Sequence, residues 1–332
     1  MLANDRSGGG VISSTMRAIR LHGPEGRERL VFEEVETPRP GAGEALVRVH
    51  AAAITRDELT WPVDRLPAIP SYEFSGVVAA IGPEVSMAIG QPVYALTVFD
   101  RDGAAADYTS VPVELLALKP RTLSHVESAA IPLAGLTAWQ GLFVHGRLDE
   151  GQRVLIHGAA GGVGHLATQL ARWRGAHVIG TSSPESAGPA RKLGAHEVLD
   201  GTSPRFEDAL DPVDLVFDTV GGELLRRSAA VVRVGGRLVS VAEEPPEPPT
   251  EALIDASYFV VEPNRKQLEK LTALVDGGDL RPAIDSVFPL AEATAAFERS
   301  MASGKRGKVV FHITDGEAEA HGRGGPDRAG AN

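Results

Sequence analysis

Hydrophobic and polar positions follow two rhythms along the chain. The earlier rhythm consists of short runs rich in β-forming residues and set off by glycine and proline: ALVRVHAAAI at 45–54, FSGVVAAIG at 74–82 and QPVYALTV at 91–98. Such runs are typical of strands joined by turns. The pattern predicts an irregular, mostly β domain over residues 16–132.

The later rhythm alternates near-continuous apolar runs with helical patterns. Six apolar runs occur in this order: RVLIHGA, HVIGTS, EVLD, VDLVFDTV, RLVSVA and YFVVE. Strands of this kind, separated by helices, predict a parallel sheet that is buried on both faces. Six strands in this arrangement fit a doubly wound α/β fold that binds a dinucleotide.

The rest of the sequence sets the predicted domain limits. After the sixth run come a helix, RKQLEKLTALVDG, and two strands around another helix, which we expect to return to the β domain. That domain is therefore predicted to comprise residues 16–132 and 280–314, and the dinucleotide domain residues 133–279. The Pro- and Glu-rich AEEPPEPPTEA is predicted to be a solvated loop. Residues 1–15 and the polar residues 315–332 are predicted to be disordered extensions.

The segment HGAAGGVG, residues 157–164, follows the first of the six runs and opens a helix. In this context the glycines predict a phosphate-binding turn. Gly161 would let the backbone approach a pyrophosphate, which the amides at the helix start would bind, and Gly164 would let helix and strand pack closely. A purely structural turn is the alternative. The residues assigned to this part of the cofactor site are Gly158, Ala159, Gly161, Gly162, Val163 and Gly164.

The end of the second run indicates which cofactor binds. An NAD site usually places Asp or Glu there to bind the ribose 2′-hydroxyl, whereas this chain has Thr181, Ser182 and Ser183. Hydroxyls tolerate a 2′-phosphate that a carboxylate would repel. Arg191 and Lys192 lie one helix later and would be within reach of it, or they are ordinary solvated charges. The sequence therefore favours NADPH and hydride transfer.

Charge and composition exclude several other classes of function. The formal net charge is −11, and the basic groups RRS at 226–228 and KRGK at 305–308 are short and isolated, so binding to nucleic acid or to an anionic membrane is not expected. Cysteine is absent, which excludes disulfides and Cys-ligated zinc. No apolar run approaches the ~20 residues of a membrane span. The N-terminus lacks the apolar core of a signal peptide, so a cytoplasmic location is expected.

Several motifs, taken in order, resemble the medium-chain dehydrogenase/reductase superfamily, and most closely its zinc-free quinone oxidoreductase branch. They are AAIPLAGLTAWQGL, GQRVLIHGAAGGVG, KLGAHEVLD, VDLVFDTVGG and RVGGRLVSV. The resemblance implies a GroES-like irregular β domain, a Rossmann domain inserted within it and an active-site cleft between the two. It further implies NADPH-dependent reduction of small quinones or α,β-unsaturated carbonyl compounds (enones), commonly by a homodimer.

The resemblance also implies roles for residues of the cofactor site. Thr137 would lie beside the nicotinamide ribose and ring, unless its hydroxyl only bonds its own helix backbone. Phe259 and Val260, in the sixth run, would meet the carboxamide, and Val220 is assigned to the same site. The branch often has Tyr where this chain has Gly201, so the adenosine side departs from the family pattern.

On the acceptor side, the resemblance implies that Thr55, Trp61 and Tyr72 line the cleft. Tyr72 is the candidate proton donor, with a buried structural tyrosine as the alternative. In SYEFSG, Tyr72 also stands where zinc relatives have the His of Gly-His-Glu, so no metal site is predicted. Thr55 stands where the branch often has Asn. Asp57 and Glu58 are interpreted only as charges at a helix start.

The sequence leaves three functions open. The first is an NADPH-dependent quinone or enone reductase. The second is an enoyl reductase of secondary metabolism, which the sequence does not separate from the first because substrate choice depends on loops such as residues 60–70. The third is a non-catalytic NADPH-binding sensor or structural protein, since a fold does not by itself fix a function.

Overall fold

A computed structural model describes residues 12–23, 29–61, 64–203 and 205–313. The segments predicted to be disordered lie outside these residues, except for residues 12–15 at the first of them. Thr15 already begins a strand and pairs with Glu36. No helix in the described ranges is long and apolar enough to cross a membrane.

The N-terminal part is mostly β structure, as the spacing of glycine and proline predicts. Its elements are β1 (Thr15–Leu21), β2 (Leu30–Glu36), β3 (Glu44–Ile54), β4 (Glu73–Ile81), β5 (Pro92–Leu96), β6 (Tyr108–Pro112), β7 (Ala117–Leu118), α1 (His125–Ala129) and α2 (Pro132–Trp139). β1 and β2 form a two-stranded antiparallel sheet. β3 is the centre of a larger sheet and pairs with both β4 and β6.

The middle of the chain alternates strands and helices. Its elements are β8 (Arg153–Ile156), α3 (Gly164–Trp173), β9 (His177–Ser182), α4 (Ala187–Lys192), β10 (Glu197–Asp200), β11 (Val213–Asp218), α5 (Gly222–Ser228), β12 (Val232–Ser240) and β13 (Asp255–Tyr258). The six strands form one parallel sheet in the order β10-β9-β8-β11-β12-β13. This is the doubly wound order, and it confirms the predicted α/β fold.

The C-terminal elements join the N-terminal sheet. They are α6 (Arg265–Gly277), β14 (Ile284–Pro289), α7 (Ala293–Met301) and β15 (Lys308–His312). β15 pairs antiparallel with β3, and β14 pairs parallel with β15. The larger sheet thus has seven strands, β14-β15-β3-β4-β5-β7 with β6 on β3. The pairing of β15 with β3 places residues near 308 beside residues near 54.

The sixth strand of the parallel sheet ends earlier than the YFVVE run predicts. β12 ends at Ser240, which pairs with Tyr258, and the chain then turns so that Val241 N bonds Asp218 O. Beyond Phe259 N, which bonds Ser240 O, the sixth strand has no neighbour with which to continue the ladder. Phe259 and Val260 therefore follow the strand and do not lie in it.

The two parts share a buried apolar cluster that contains residues of β5, α2, α3 and α6. Tyr94 on β5 is fully buried, and its hydroxyl bonds both Leu268 O and Thr272 Oγ1 of α6 at 2.8 Å. A buried tyrosine usually finds such a partner for its hydroxyl. These contacts hold the two parts against each other beside the cleft described next.

Candidate functional site

A cleft of about 550 Å³ lies between the two sheets. One wall consists of the glycine turn after β8 and the segments that follow β11 and β12. The opposite wall consists of residues 54–57 at the end of β3 and the loop around residues 300–308. β8 and β11 are the neighbours at which the strand order reverses, and ligands of doubly wound sheets bind outside the carboxyl ends of strands at this point.

The glycine turn has little room for side chains. Gly158 has φ of +72°, and a Cβ there would lie 2.9 Å from Val220 Cγ2. A Cβ on Gly164 would lie 2.0 Å from Gly158 O, so the close packing of the turn by itself requires glycine at this position. Gly161 is different, because its nearest obstacle is Gly158 O at 3.1 Å. The buried His165 fixes the turn through a 2.9 Å bond between its Nδ1 and Gly161 O.

The hydroxyls at the end of β9 do not all face the cleft. Thr181 Oγ1 is buried and bonds both His157 Nδ1, at 3.1 Å, and Gly158 N, at 3.3 Å. Ser182 Oγ donates to Ser183 O. The half-buried Ser183 makes a side-chain hydrogen bond with the Glu185 carboxylate at the turn that follows β9. Thr181 therefore supports the glycine turn itself.

The loop between α7 and β15 covers the glycine turn. Gly307 N donates to Ala160 O at 3.2 Å, and the Arg306 guanidinium donates to Glu185 O at 2.7 Å, at the turn that follows β9. Arg306 thus reaches the place where the sequence predicts the 2′-phosphate. Arg191, which the sequence proposes for that task, is exposed on α4 and does not line the cleft.

Several basic side chains lie on the cleft wall although the chain as a whole is acidic. Arg56, Lys305 and Lys308 line the cleft, with Asp57 beside them. Within the described ranges, no ion pair is formed by Lys305 or Arg56. Burial, together with the nearby Lys308 and Arg56, lowers the pKa of Lys305 to about 8. Lys305 and Arg56 are therefore suited to bind an anion.

A buried ion pair lies behind this wall. Lys308 Nζ is 2.6 Å from Glu73 Oε1, and the two side chains are 4% and 0% exposed. Glu73 Oε2 accepts from Leu133 N at 2.8 Å, and Lys308 Nζ also donates to Thr55 Oγ1 at 3.2 Å.

A second buried carboxyl adjoins the pair. Glu58 accepts from Thr55 N at 3.0 Å and from Ser71 N at 3.2 Å. Burial raises the pKa of Glu58 to about 8, against the backbone hydrogen bonds from Thr55 and Ser71, which lower it. Ser71 has φ of +67°, a left-handed conformation that costs a non-glycine residue energy and is often found at functional sites. Glu58 is therefore a buried carboxyl that holds the backbone at Thr55 and Ser71, and not only a charge at a helix start as the sequence suggests.

The aromatic residues predicted for the acceptor side form a compact group beside the cleft. The rings of Trp61 and Tyr72 have centroids 5.6 Å apart, and Phe99 lies 5.1 Å from Trp61 and 5.3 Å from Tyr72. Tyr72 is fully buried, its hydroxyl accepts from Arg65 at 2.7 Å, and burial raises its pKa to about 12. Of the predicted acceptor-side residues, only Thr55 lines the cleft.

The residues predicted for the nicotinamide end are dispersed. Thr137 is buried in α2 and donates to Leu133 O at 2.7 Å, which is the bond to its own helix backbone that the sequence leaves as the alternative. Phe259 is buried and stacks on His145 at 4.2 Å, whereas Val260 is 58% exposed. Val220 lines the cleft. The structure therefore brings Val220 to the glycine turn, but not Thr137 or Val260.

Two further observations concern other possible sites. A second cavity, of about 470 Å³, lies on the β part beside Arg20 and Arg101 and contains none of the predicted site residues. Among the described residues, no group of three or more His, Cys, Asp or Glu side chains could hold a metal ion. We therefore take the cleft between the two sheets as the candidate functional site.

Sequence reasoning missed Glu58, Glu73, Lys305, Arg306 and Lys308. Glu58 is ordinary in sequence, and KRGK draws attention only as a short basic group. Two signals were available: Glu73 follows Tyr72 in SYEFSG, at the Glu of the Gly-His-Glu of zinc relatives, and the resemblance returns the last strand to the β domain, which brings its flanking bases toward the cleft. The distances between these side chains nevertheless depend on strand pairing.

Two family descriptions match the chain. "Alcohol dehydrogenase GroES-like domain" matches residues 41–121, and "Zinc-binding dehydrogenase" matches residues 193–311. The two matches fall on the β part and on the later part of the chain, respectively.

Similar proteins are found among curated sequences and solved structures. A "2-methylene-furan-3-one reductase" of Solanum lycopersicum is 34% identical over 84% of this chain and 74% of its own length. An "NADPH-dependent alkenal/one oxidoreductase, chloroplastic" of Arabidopsis thaliana is 32% identical over the same shares. The structure of a quinone oxidoreductase from Coxiella burnetii superposes with a TM-score of 0.83 at 31% identity, covering 90% of this chain and 100% of that one.

Proposed function

The chain belongs to the medium-chain dehydrogenase/reductase superfamily of nicotinamide-dependent oxidoreductases, and on that premise we propose that it reduces quinones or α,β-unsaturated carbonyl compounds with NADPH and without zinc. The observation that carries the proposal is the pairing of a glycine turn with unpaired cations across one cleft of about 550 Å³. The similar proteins named above are a 2-methylene-furan-3-one reductase, an alkenal/one oxidoreductase and a quinone oxidoreductase.

The residues present fit the phosphates of a dinucleotide. Gly161 N donates to Gly158 O at 2.8 Å within the turn, and the amides of Gly162 and Val163 at the start of α3 suit the pyrophosphate. Lys305 and Arg56 would supply counter-charges. Arg306 at the turn after β9 supports a 2′-phosphate, and thus NADPH over NADH. Glu185 at that turn opposes it, since its carboxylate would repel the phosphate unless Arg306 neutralises it.

The bound cofactor would supply a hydride, and the protein's contribution is then to place the acceptor and exclude water. We propose that Thr55 faces the acceptor, and that Trp61 and Phe99 determine which acceptors fit. Thr137, Val220, Phe259 and Val260 remain predictions for the nicotinamide end. The buried Tyr72, whose hydroxyl is held by Arg65, is less suited to donate a proton than the sequence suggests.

Zinc independence rests on the donor set. The chain has no cysteine, and Tyr72 stands in SYEFSG where zinc relatives have a ligand His. Thr55, Glu73 and Lys308 meet around one ion pair, an arrangement in which an ammonium group occupies the place beside the carboxylate. The residues of this wall therefore do not fit a zinc ion, although one matching family is described as zinc-binding.

The domain limits, the oligomer and the location are further proposals. We propose that residues 16–132 and 280–314 form the catalytic domain and residues 133–279 the cofactor domain. A homodimer would have a place at β13, which is an edge strand flanked by the exposed Val234, Leu253 and Val260. A cytoplasmic location is proposed from the composition of the chain alone.

A panel assay tests the proposed function. Quinones, enones and enoyl thioesters are each offered with NADPH and with NADH, before and after exhaustive EDTA treatment. Turnover of quinones or enones with NADPH that survives EDTA is expected. Preference for an enoyl thioester would support the enoyl reductase alternative. Tight NADPH binding without turnover of any acceptor would favour a sensor, and loss of activity that zinc restores would contradict zinc independence.

A further inference from the structure

The hydroxyl of Thr55 has an unusual position. It lies at the end of β3, half-buried, where it lines the cleft, and it is bonded from behind by Lys308 Nζ at 3.2 Å. Lys308 in turn begins β15, the strand that pairs with β3 through Val309 and Ile54. The contact between the two side chains is therefore built into the sheet.

The chemistry of the two groups fixes the direction of their hydrogen bond. An ammonium group has three donors and no acceptor, so the oxygen of Thr55 must accept. The hydroxyl hydrogen is then left for another acceptor. In the ranges that the structure describes, Thr55 Oγ1 makes no other hydrogen bond. The cleft therefore contains an O–H donor polarised by a cation.

Contacts of the backbone and of Lys308 hold the Thr55 hydroxyl in place. Thr55 N donates to Glu58 at 3.0 Å, which fixes the backbone, and Glu73 holds Lys308 at 2.6 Å. All three charged or acidic side chains are buried. Donors fixed in a site that excludes water stabilise a developing negative charge more strongly than mobile donors in water.

We propose that Thr55 donates a hydrogen bond to the carbonyl oxygen of the acceptor, and that Lys308 is the positioning residue that directs and strengthens this bond. The role rests on the proposed reductase function. Hydride from the reduced nicotinamide forms a C–H bond at the β-carbon, the C=C π bond breaks, and its electron pair moves to make an enolate. Thr55 stabilises the enolate oxygen, and a solvent proton then adds at the α-carbon and restores the carbonyl.

Three other hydroxyls near the cleft are buried away from it or already engaged. Tyr72, whose oxygen accepts from Arg65, is fully buried and does not line the cleft. Thr137 donates its hydrogen to Leu133 O. Thr219 lines the cleft but donates to His157 O at 2.7 Å. Thr55 is thus the threonine of the cleft whose hydrogen remains available in the described structure.

The proposal is tested first with Thr55→Val, which keeps the shape of the side chain and removes the hydroxyl. Turnover of a simple enone with NADPH should fall about a hundredfold to a thousandfold, the effect typical of losing one such donor. KM for NADPH should stay close to that of the wild type. Thr55→Ser should restore most of the rate. The matched control is Thr37→Val, which removes another buried hydroxyl of the same domain outside the cleft.

A double-mutant cycle separates positioning from a merely structural role of Lys308. If Lys308 acts through Thr55, then Lys308→Met should slow the wild-type enzyme strongly but the Thr55→Val enzyme only slightly. Lys308→Arg should recover part of the rate. Because Lys308→Met leaves Glu73 unpaired, the cycle is repeated in the Glu73→Gln background. Additive losses would overturn the positioning role.

A spectroscopic probe gives a readout that does not depend on turnover. 4-Nitrophenol, added with NADP⁺, mimics the enolate oxygen, and its bound phenolate absorbs differently from the phenol. The wild-type protein should lower the pKa of the bound probe, and Thr55→Val should abolish this shift. Wild-type turnover and an unchanged probe pKa in Thr55→Val would overturn the proposal while leaving the reductase intact. No turnover by the wild type, with the probe shift present, would overturn the reductase function instead.

Discussion

The two walls of the cleft are built in opposite ways. The glycine wall, residues 158–164, consists of backbone from a single turn, and its shape depends on absent side chains. The charged wall is supported by polar side chains from three parts of the chain, Thr55 with Glu58, Glu73, and Lys308, and the two acids and the lysine are buried. One wall is adapted to hold phosphates at backbone amides, and the other to place charge next to a reacting group.

The difference shows how each wall tolerates change. On the glycine wall, an added methyl group acts through volume, and its effect depends on the direction in which the Cβ points. On the charged wall, the removal of one partner leaves another group buried with an unbalanced charge, which costs more than the pair itself contributes. The predictions below use this contrast.

The largest effect is expected for Gly161→Val, measured as loss of NADPH binding by quenching of tryptophan fluorescence. A Cβ on residue 161 would meet only Gly158 O, at 3.1 Å, which a small backbone shift relieves, so the fold should persist while the branched side chain fills the pyrophosphate site. Gly164→Ala is the contrasting variant, because its Cβ would meet Gly158 O at 2.0 Å and should destabilise the protein itself. Normal NADPH affinity in folded Gly161→Val would show that the turn is only structural.

Lys308→Met tests the charged wall. It should lower the free energy of unfolding by about 3–5 kcal/mol, because Glu73 remains buried without a cation. Lys308→Met combined with Glu73→Gln should recover much of this loss. Urea denaturation of both variants measures the effect. A loss below about 1 kcal/mol, the value of an exposed pair, would contradict the buried position of the pair.

The Arg306→Gln variant tests which basic side chain recognises the 2′-phosphate. NADPH affinity should fall about tenfold, as expected for one charge-assisted hydrogen bond, while NADH affinity changes little. Arg191→Gln, which removes the base proposed from sequence, is the matched variant. Isothermal titration with both cofactors measures the four affinities. If only Arg191→Gln lowers NADPH affinity, the assignment from sequence is correct and Arg306 serves the loop alone.

The smallest effect concerns pH. The pKa of Lys305 is lowered to about 8 by burial and by the neighbouring Lys308, Arg56 and Arg299, against the opposing charge of Asp285. A bound phosphate favours the protonated lysine, so NADPH affinity should be highest below pH 8 and should weaken a fewfold as pH rises through 8. Lys305→Gln should bind more weakly at pH 7 and lose this dependence. The exposed Lys266→Gln serves as control, and an unchanged pH profile in Lys305→Gln would remove Lys305 from the site.

Much of the fold follows from local pattern. The runs that predict β8 to β12 lie where those strands are found, since a strand buried on both faces needs an apolar residue at nearly every position. RKQLEKLTALVDG coincides with α6, which Asn264 caps at its start and Gly278, at φ of +85°, ends. The prediction fails at Phe259 and Val260, because the end of a strand depends on where its neighbour ends.

The sequence by itself determined the glycine turn and the alternation of strand and helix, because both are consequences of residues adjacent in the chain. Only the tertiary structure decided which hydroxyls and bases face the cleft. Thr181, whose hydroxyl suggests a ribose contact, is buried against His157, and KRGK, an isolated basic group in sequence, covers the glycine turn. The physical reason is that burial and charge pairing arise between residues as far apart as Thr55 and Lys308, which the pairing of β3 with β15 brings together.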